Sequence, residues 1–271
     1  MDLCLIVPPA NVEKYTPTFP GRFCIASVAF RNKRYADYFK KAVEEGHRVI
    51  MDQGVYEGDV LNDEDYLYII GYVKPTVIVC PDIMDSDWTD NYVRSSKFQQ
   101  WCQKRLCDAQ PELEYAPQYM FVPQCNHVLD NLILPQDCSS FFDWIGICFN
   151  FCRSSLGWKA YPKDEERMRY AWTVKYAEEL RLLKSRDMYK LHFLGIGDSF
   201  YYLRYYDMVD SMDTACVYWQ GLPETFKKRP KDYFDRTDEP LPNVLEGLTN
   251  RALKCAEEAT QRGIDGNTTM A

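Results

Sequence analysis

Asn62-Asp63-Glu64-Asp65-Tyr66-Leu67-Tyr68-Ile69-Ile70-Gly71-Tyr72-Val73, followed shortly by Thr76-Val77-Ile78-Val79-Cys80-Pro81-Asp82, sets a helical segment directly before an apolar strand. Residues 63–73 read as a helix, and Asn62 is of the residue type that caps a helix N-terminus. Residues 76–80 form a continuous apolar run rather than an alternating one, which is the pattern of a strand buried on both faces of a parallel sheet. Asp82 follows that strand directly.

The same alternation extends in both directions. Short apolar runs bounded by turn residues recur at 3–7, 49–51, 119–122, 144–148 and 191–194, with a weaker one at 208–212. Helix-like stretches fall at 35–45 and 164–184, the latter with apolar residues at helical spacing. Alternating strands and helices predict an α/β fold with a parallel sheet. These runs give seven strands, and residues 22–26 are the best candidate for an eighth, so the expectation is an irregular (β/α)8 barrel. A doubly wound dinucleotide-binding sheet is the competing architecture. It would need a GxGxxG turn after the first strand, where Pro8-Pro9 stands instead.

The chain has 271 residues, close to the roughly 250 of a typical barrel. Residues 1–242 are expected to form the barrel, and 243–271 to add a helix at 244–262 and a frayed end at 263–271, all in one domain. Hydrophobic residues make up 46% and charged residues 27%, an ordinary globular composition with many aromatics. The net charge of −8 does not attract polyanions, so a nucleic acid would have to meet a local basic surface. The 11 cysteines are scattered and odd in number, and several sit in apolar runs, which predicts reduced, mostly buried thiols. With no basic-flanked apolar leader and no run approaching about 18 apolar residues, the expected location is a cytoplasm, away from membranes.

Polar or glycine residues stand at the strand ends: Asp52, Asp82, Gln124, Gly146, Gly195 and Gly197. In a barrel these positions converge on the face where active sites lie, so carboxylates arriving from several strands make a catalytic cluster. For any one such aspartate a turn-capping role is the commoner explanation, and Gly195-Ile196-Gly197 alone also reads as a tight turn.

Taken together, six segments resemble, in order, the motifs of the tRNA-guanine transglycosylase superfamily. Met51-Asp52-Gln53-Gly54-Val55-Tyr56 resembles its Asp-Ser-Gly-Gly-aromatic motif, and Cys80-Pro81-Asp82-Ile83-Met84-Asp85 its base-recognising segment. Phe121-Val122-Pro123-Gln124-Cys125-Asn126 is similar to Gly-Ile-Val-Gln-Gly-Gly, and Phe142-Asp143-Trp144-Ile145-Gly146 to Phe-Asp-Gly-Tyr-Ala-Val-Gly-Gly. Leu194-Gly195-Ile196-Gly197 resembles Met-Gly-Val-Gly, and Asp210-Ser211-Met212-Asp213 resembles Asp-Met-Phe-Asp. Gln53 departs from the family's Ser, and Gly146 stands alone where the family has two glycines. The short form is most like the phage and bacterial relatives that insert 7-deazaguanine derivatives, such as the cyano-substituted preQ0, into DNA.

The resemblance implies a glycosyltransferase that needs no cofactor and exchanges guanine in DNA for a free 7-deazaguanine base. Asp213 would be the nucleophile, with Asp210 a weaker candidate, and Asp52 the general acid/base. Asp82, Gln124, Gly146, Gly195 and Gly197 would bind the base. Arg153, Lys227, Lys228 and Arg229 are candidate nucleic-acid contacts, as are Arg31, Lys33 and Arg34, although basic runs are more often solvated loops. The family's tRNA enzymes carry a Cys/His zinc site whose spacing is not met here, so no metal is expected. A homodimer, as many relatives form, is compatible with this reading. The alternatives are the same exchange on tRNA, of the queuine or archaeosine type, a nucleoside hydrolase, and a noncatalytic nucleic-acid-binding barrel. A cysteine nucleophile paired with His127 or His192 is a remote further option.

Overall fold

A computed structural model gives the architecture and describes residues 1–54, 60–83, 86–109, 115–124, 141–148, 151–152, 156, 165–176, 189–195, 209–222, 234 and 240–268. Eight parallel strands lie in the order β1-β8-β7-β6-β5-β4-β3-β2. They are β1 (Asp2–Leu5), β2 (Arg22–Ile25), β3 (Val49–Asp52), β4 (Val77–Val79), β5 (Gln118–Phe121), β6 (Trp144–Ile147), β7 (Lys190–Phe193) and β8 (Ser211–Thr214). The two end strands of that order, β1 and β2, meet at a parallel bridge between Cys4 and Gly21. The sheet is therefore a nearly closed (β/α)8 barrel.

Among the described residues the helices are α1 (Val12–Tyr15), α2 (Ala26–Arg31), α3 (Lys33–Glu44), α4 (Asp63–Val73), α5 (Trp88–Ala109), α6 (Glu165–Lys175), α7 (Cys216–Gly221) and α8 (Pro242–Thr268). The Asn62 side chain caps α4 by accepting from the Asp65 amide at 2.9 Å, as expected. No helix among the described residues is long and apolar enough to cross a membrane. Cys4, Cys24, Cys80, Cys102, Cys107, Cys148, Cys152 and Cys255 are free thiols, and of these Cys107 alone is exposed.

Two expectations change. The last strand lies at Ser211–Thr214, not 208–212, because its inward residues Ser211 and Asp213 are polar and give it no continuous apolar run. The terminal helix runs from Pro242 to Thr268, through the stretch expected to fray, so neither Gly263 nor Gly266 ends it. A glycine inside a helix costs about 1 kcal/mol, too little to stop a long one. Of the helix expected at 164–184, Glu165–Lys175 is helical, while 164 and 177–184 lie outside the described residues.

Contacts between non-neighbouring strands identify the inward faces. Phe23 of β2 stacks on His192 of β7, with ring centroids 5.4 Å apart and an angle of 11° between planes. Those strands do not pair, so the two rings meet across the barrel interior. His192 is in register with Gly146 and with Ser211, and side chains in register share a face, so Gly146 and Ser211 point inward too. Asp213, two residues beyond Ser211, does the same. At the opposite end Trp144 is fully buried, with Arg48 and Lys190 each 5.4 Å from its ring and its indole N–H donating to Gln118 at 2.9 Å.

Tyr66 of α4 ties the helical layer to two strand ends. Its buried hydroxyl lies 3.0 Å from the Met51 carbonyl and 2.9 Å from the Val79 carbonyl. Burial pushes this phenol well above its ordinary pKa, so it remains a donor. Replacing Tyr66 with Phe leaves both buried carbonyls without that donor and should lower unfolding stability by about 1–2 kcal/mol. Urea titration of the two proteins measures the loss, and equal midpoints would show that the hydroxyl is idle.

Candidate active site

The face at the C-terminal ends of the strands collects side chains from β3, β4, β5 and β8. Asp52 ends β3 and is held by a local turn, its Oδ2 accepting from the Gly54 amide at 3.0 Å. Gly54 adopts φ +93°, a conformation that favours glycine, and a Cβ there would collide with Ser27 Oγ. The neighbouring Gln53, where the resembled family has Ser, is buried and donates to the Leu61 carbonyl at 2.6 Å. It fastens the chain on its way to α4.

Asp82 and Gln124, from the ends of β4 and β5, are joined directly. Gln124 Nε2 donates to Asp82 Oδ2 at 2.6 Å. Its Oε1 faces the Cys148 thiol at 3.5 Å, so the S–H donates weakly and the amide has one consistent orientation. Burial pushes the Asp82 carboxyl above its ordinary pKa, and the hydrogen bond from Gln124 draws it partly back.

The loop carrying Asp82 is gripped by α5. Asn91, fully buried, accepts from the Ile83 amide at 2.6 Å and donates to the Ile83 carbonyl at 3.2 Å, while Ser95 donates to the Pro81 carbonyl at 3.2 Å. These two side chains flank Asp82 on both sides of its backbone. Nothing in the sequence pattern singled them out, because an Asn and a Ser inside a helix look like ordinary polar positions until the facing loop is known.

Asp213 lies deeper, at 2% exposure. Its Oδ1 accepts from His192 Nε2 at 2.9 Å, and the Gly195 amide is 3.0 Å from each of its oxygens. His192 Nδ1 is 2.7 Å from Ser211 Oγ. One neutral tautomer fits both contacts, with Nε2–H donated to the carboxylate and Nδ1 accepting the serine hydroxyl proton. Cys4, in register with Asp213, is a neutral thiol, since burial first and the carboxylates of Asp213 and Asp2 second push its pKa well up.

Asp210 is not in that position. Its Oδ2 accepts from the Leu191 amide at 2.8 Å near the start of β7, roughly 10 Å back along an extended strand from Asp213. It closes the sheet at the end of the strands away from Asp213. His192 is bound to Ser211 and Asp213 rather than to a cysteine, which removes the thiol–imidazole pairing at that residue.

The glycines serve backbone and packing needs. A Cβ on Gly146 would meet Val122, Met120 and Leu194 at 2.8 to 3.0 Å, so the space before it is already filled by neighbouring strands. Gly195 has φ +57° and open space in front of it, so glycine is there for its conformation, which turns the amide toward Asp213. Gly197, Arg153, His127, Lys227, Lys228 and Arg229 lie outside the described residues. Of the earlier basic positions, Lys33 and Arg34 are ion-paired with Asp37 at 2.8 Å and Glu13 at 3.0 Å, on the exposed surface. Among the described residues, no group of three or more His, Cys, Asp or Glu is arranged to hold a metal ion.

No family model matches this chain, and no curated protein matches it.

The raised pKa of Asp82 carries a pH signature. A carboxyl that binds its proton more tightly when folded contributes stability fully present below its ordinary value of 3.8 and lost as pH rises through the raised folded value. Asn at this position keeps an acceptor for Gln124 without the charge. Asp82→Asn should therefore gain stability relative to the parent protein as pH rises from 3.5 toward neutrality. Denaturant melts across that range test it, and a constant difference would mean that Asp82 titrates alike in the folded and unfolded chains.

Proposed function

We propose that this protein is a base-exchange transglycosylase that replaces guanine in DNA with a 7-deazaguanine derivative. The observation that carries the reading is that Asp52, the Asp82–Gln124 pair and Asp213 stand at or just beyond the C-terminal ends of four different strands of a parallel barrel. Their order along the chain is that of the motifs that resemble the guanine transglycosylases.

Exchange at a glycosidic carbon proceeds by double displacement. A carboxylate oxygen of Asp213 attacks C1′ as the C1′–N bond to guanine breaks, and Asp52 delivers a proton to the departing base. The incoming base gives its proton to Asp52, attacks C1′ in turn and releases the Asp213 carboxylate. Oδ1 of Asp213 carries the histidine contact and Oδ2 only the shared Gly195 contact, so Oδ2 has the greater remaining capacity to form the bond.

The Asp82–Gln124 pair supplies the recognition. With Gln124 occupying Oδ2, the other oxygen of Asp82 accepts from the N1 and exocyclic amine edge of a guanine-like ring. The second Nε2 hydrogen of Gln124 donates to an acceptor beside it. The target nucleotide must be single-stranded or turned out of the helix, because a stacked base does not reach such a site.

Purified protein is incubated with DNA, and separately with tRNA, carrying labelled guanine, with or without an unlabelled 7-deazaguanine base. Label release from DNA that requires the incoming base, and that falls roughly 10³-fold or more in Asp213→Asn, is the expected result. Release from tRNA alone would move the substrate to RNA, and release without an incoming base would make the protein a hydrolase. Binding without release from either would leave a noncatalytic barrel.

A further inference from the structure

Arg169 is a fully buried charge that the exchange reaction described above does not use. It stands on α6 between Met168 and Trp172, which are themselves fully buried and supply the helix with its apolar contacts. A buried guanidinium is expensive unless its hydrogen bonds are satisfied, so what it bonds to is informative. Its Nη2 donates to the Leu194 carbonyl at 2.7 Å and its Nη1 to the Gly195 carbonyl at 3.1 Å.

The Leu194 carbonyl and the Gly195 amide belong to one peptide group. The carbonyl side faces Arg169, and the N–H side faces both oxygens of Asp213. A single peptide plane thus separates a buried cation from a buried carboxylate. A charge-assisted hydrogen bond at the carbonyl polarises the amide and strengthens its N–H as a donor. The left-handed conformation of Gly195 makes the arrangement achievable by turning the chain sharply after β7.

We propose that Arg169 is a positioning residue for Asp213. It locks the Leu194–Gly195 peptide so that the Gly195 N–H, together with His192, holds the carboxylate in its attacking orientation. This rests on Asp213 being the nucleophile, as proposed above. Phe193 lies beneath the guanidinium, 6.0 Å from ring centroid to its carbon, and completes the seat.

The test compares Arg169→Met, which keeps length and removes charge, with Arg169→Lys, which keeps the charge. Displacing a reacting group by about an ångström costs about 100-fold in rate. Arg169→Met should therefore lower kcat for base exchange about 100-fold with KM for the incoming base unchanged, and Arg169→Lys should recover about a tenth to a third of it. Independently of activity, amide hydrogen exchange at Gly195 should quicken about tenfold or more in Arg169→Met while the amides of β2 to β5 hold their rates.

If Asp213→Asn abolishes exchange but Arg169→Met retains kcat within about threefold, the positioning role is overturned and the nucleophile stands. Exchange surviving in Asp213→Asn overturns both. Where the protein performs no exchange at all, the Gly195 amide decides, and unchanged protection there overturns the proposal. Uniform acceleration of every amide in both variants also overturns it, since that is the mark of a residue serving only global stability.

Discussion

Strands β1 and β2 meet at the bridge between Cys4 and Gly21, where a Cβ on Gly21 would come well inside van der Waals contact with the Cys4 sulfur. Closing a parallel sheet requires its first and last strands to approach, and here the approach depends on the absence of one carbon atom. Everything inside the barrel follows from that seam. With it shut, Phe23 on β2 is carried across to His192 on β7, and Cys4 is set beside Asp213 on β8. A larger residue at position 21 would press on β1 at Cys4, the residue in register with Asp213.

That line is unusual for a barrel core, which is ordinarily filled by branched apolar side chains. Ser211, His192 and Asp213 occupy inward positions, all nearly sealed from solvent, and the Gly195 amide completes their hydrogen bonding. Buried polar groups are tolerated only when each is matched, and a fully matched set is rigid. The Asp82–Gln124–Cys148 set nearer the rim follows the same rule, with α5 fixing the loop from outside through Asn91 and Ser95. Two polar networks, each assembled from side chains distant in sequence, give the strand ends their fixed shape.

Much of the architecture was legible in the chain itself. Apolar runs buried on both faces announce parallel strands, and Asn62 announces the helix it caps, because those signals are local and arise from solvent exclusion and backbone hydrogen bonding. β8 starts three residues and ends two residues beyond its apolar signal for the opposite reason: Ser211 and Asp213 face inward but are polar, and the compensation for burying them comes from His192 on another strand. The strand-end positions of Asp52, Asp82 and Gln124 could be read directly. Tyr66, Asn91, Arg169 and His192 could not, since each matters through a partner supplied by a different element, and no spacing rule links the two. Gly195 was visible as a glycine, but its use as an amide donor became visible only with its positive φ.

Trp144 lies at the N-terminal end of the strands, flanked by Arg48 and Lys190, with Arg48 further tied to Asp2 at 2.7 Å. Those contacts rivet the turn before β3 and the starts of β1, β6 and β7 to one ring. That end is the fixed base of the barrel, which leaves the strand tips at the other end as the place where side chains can vary without disturbing closure.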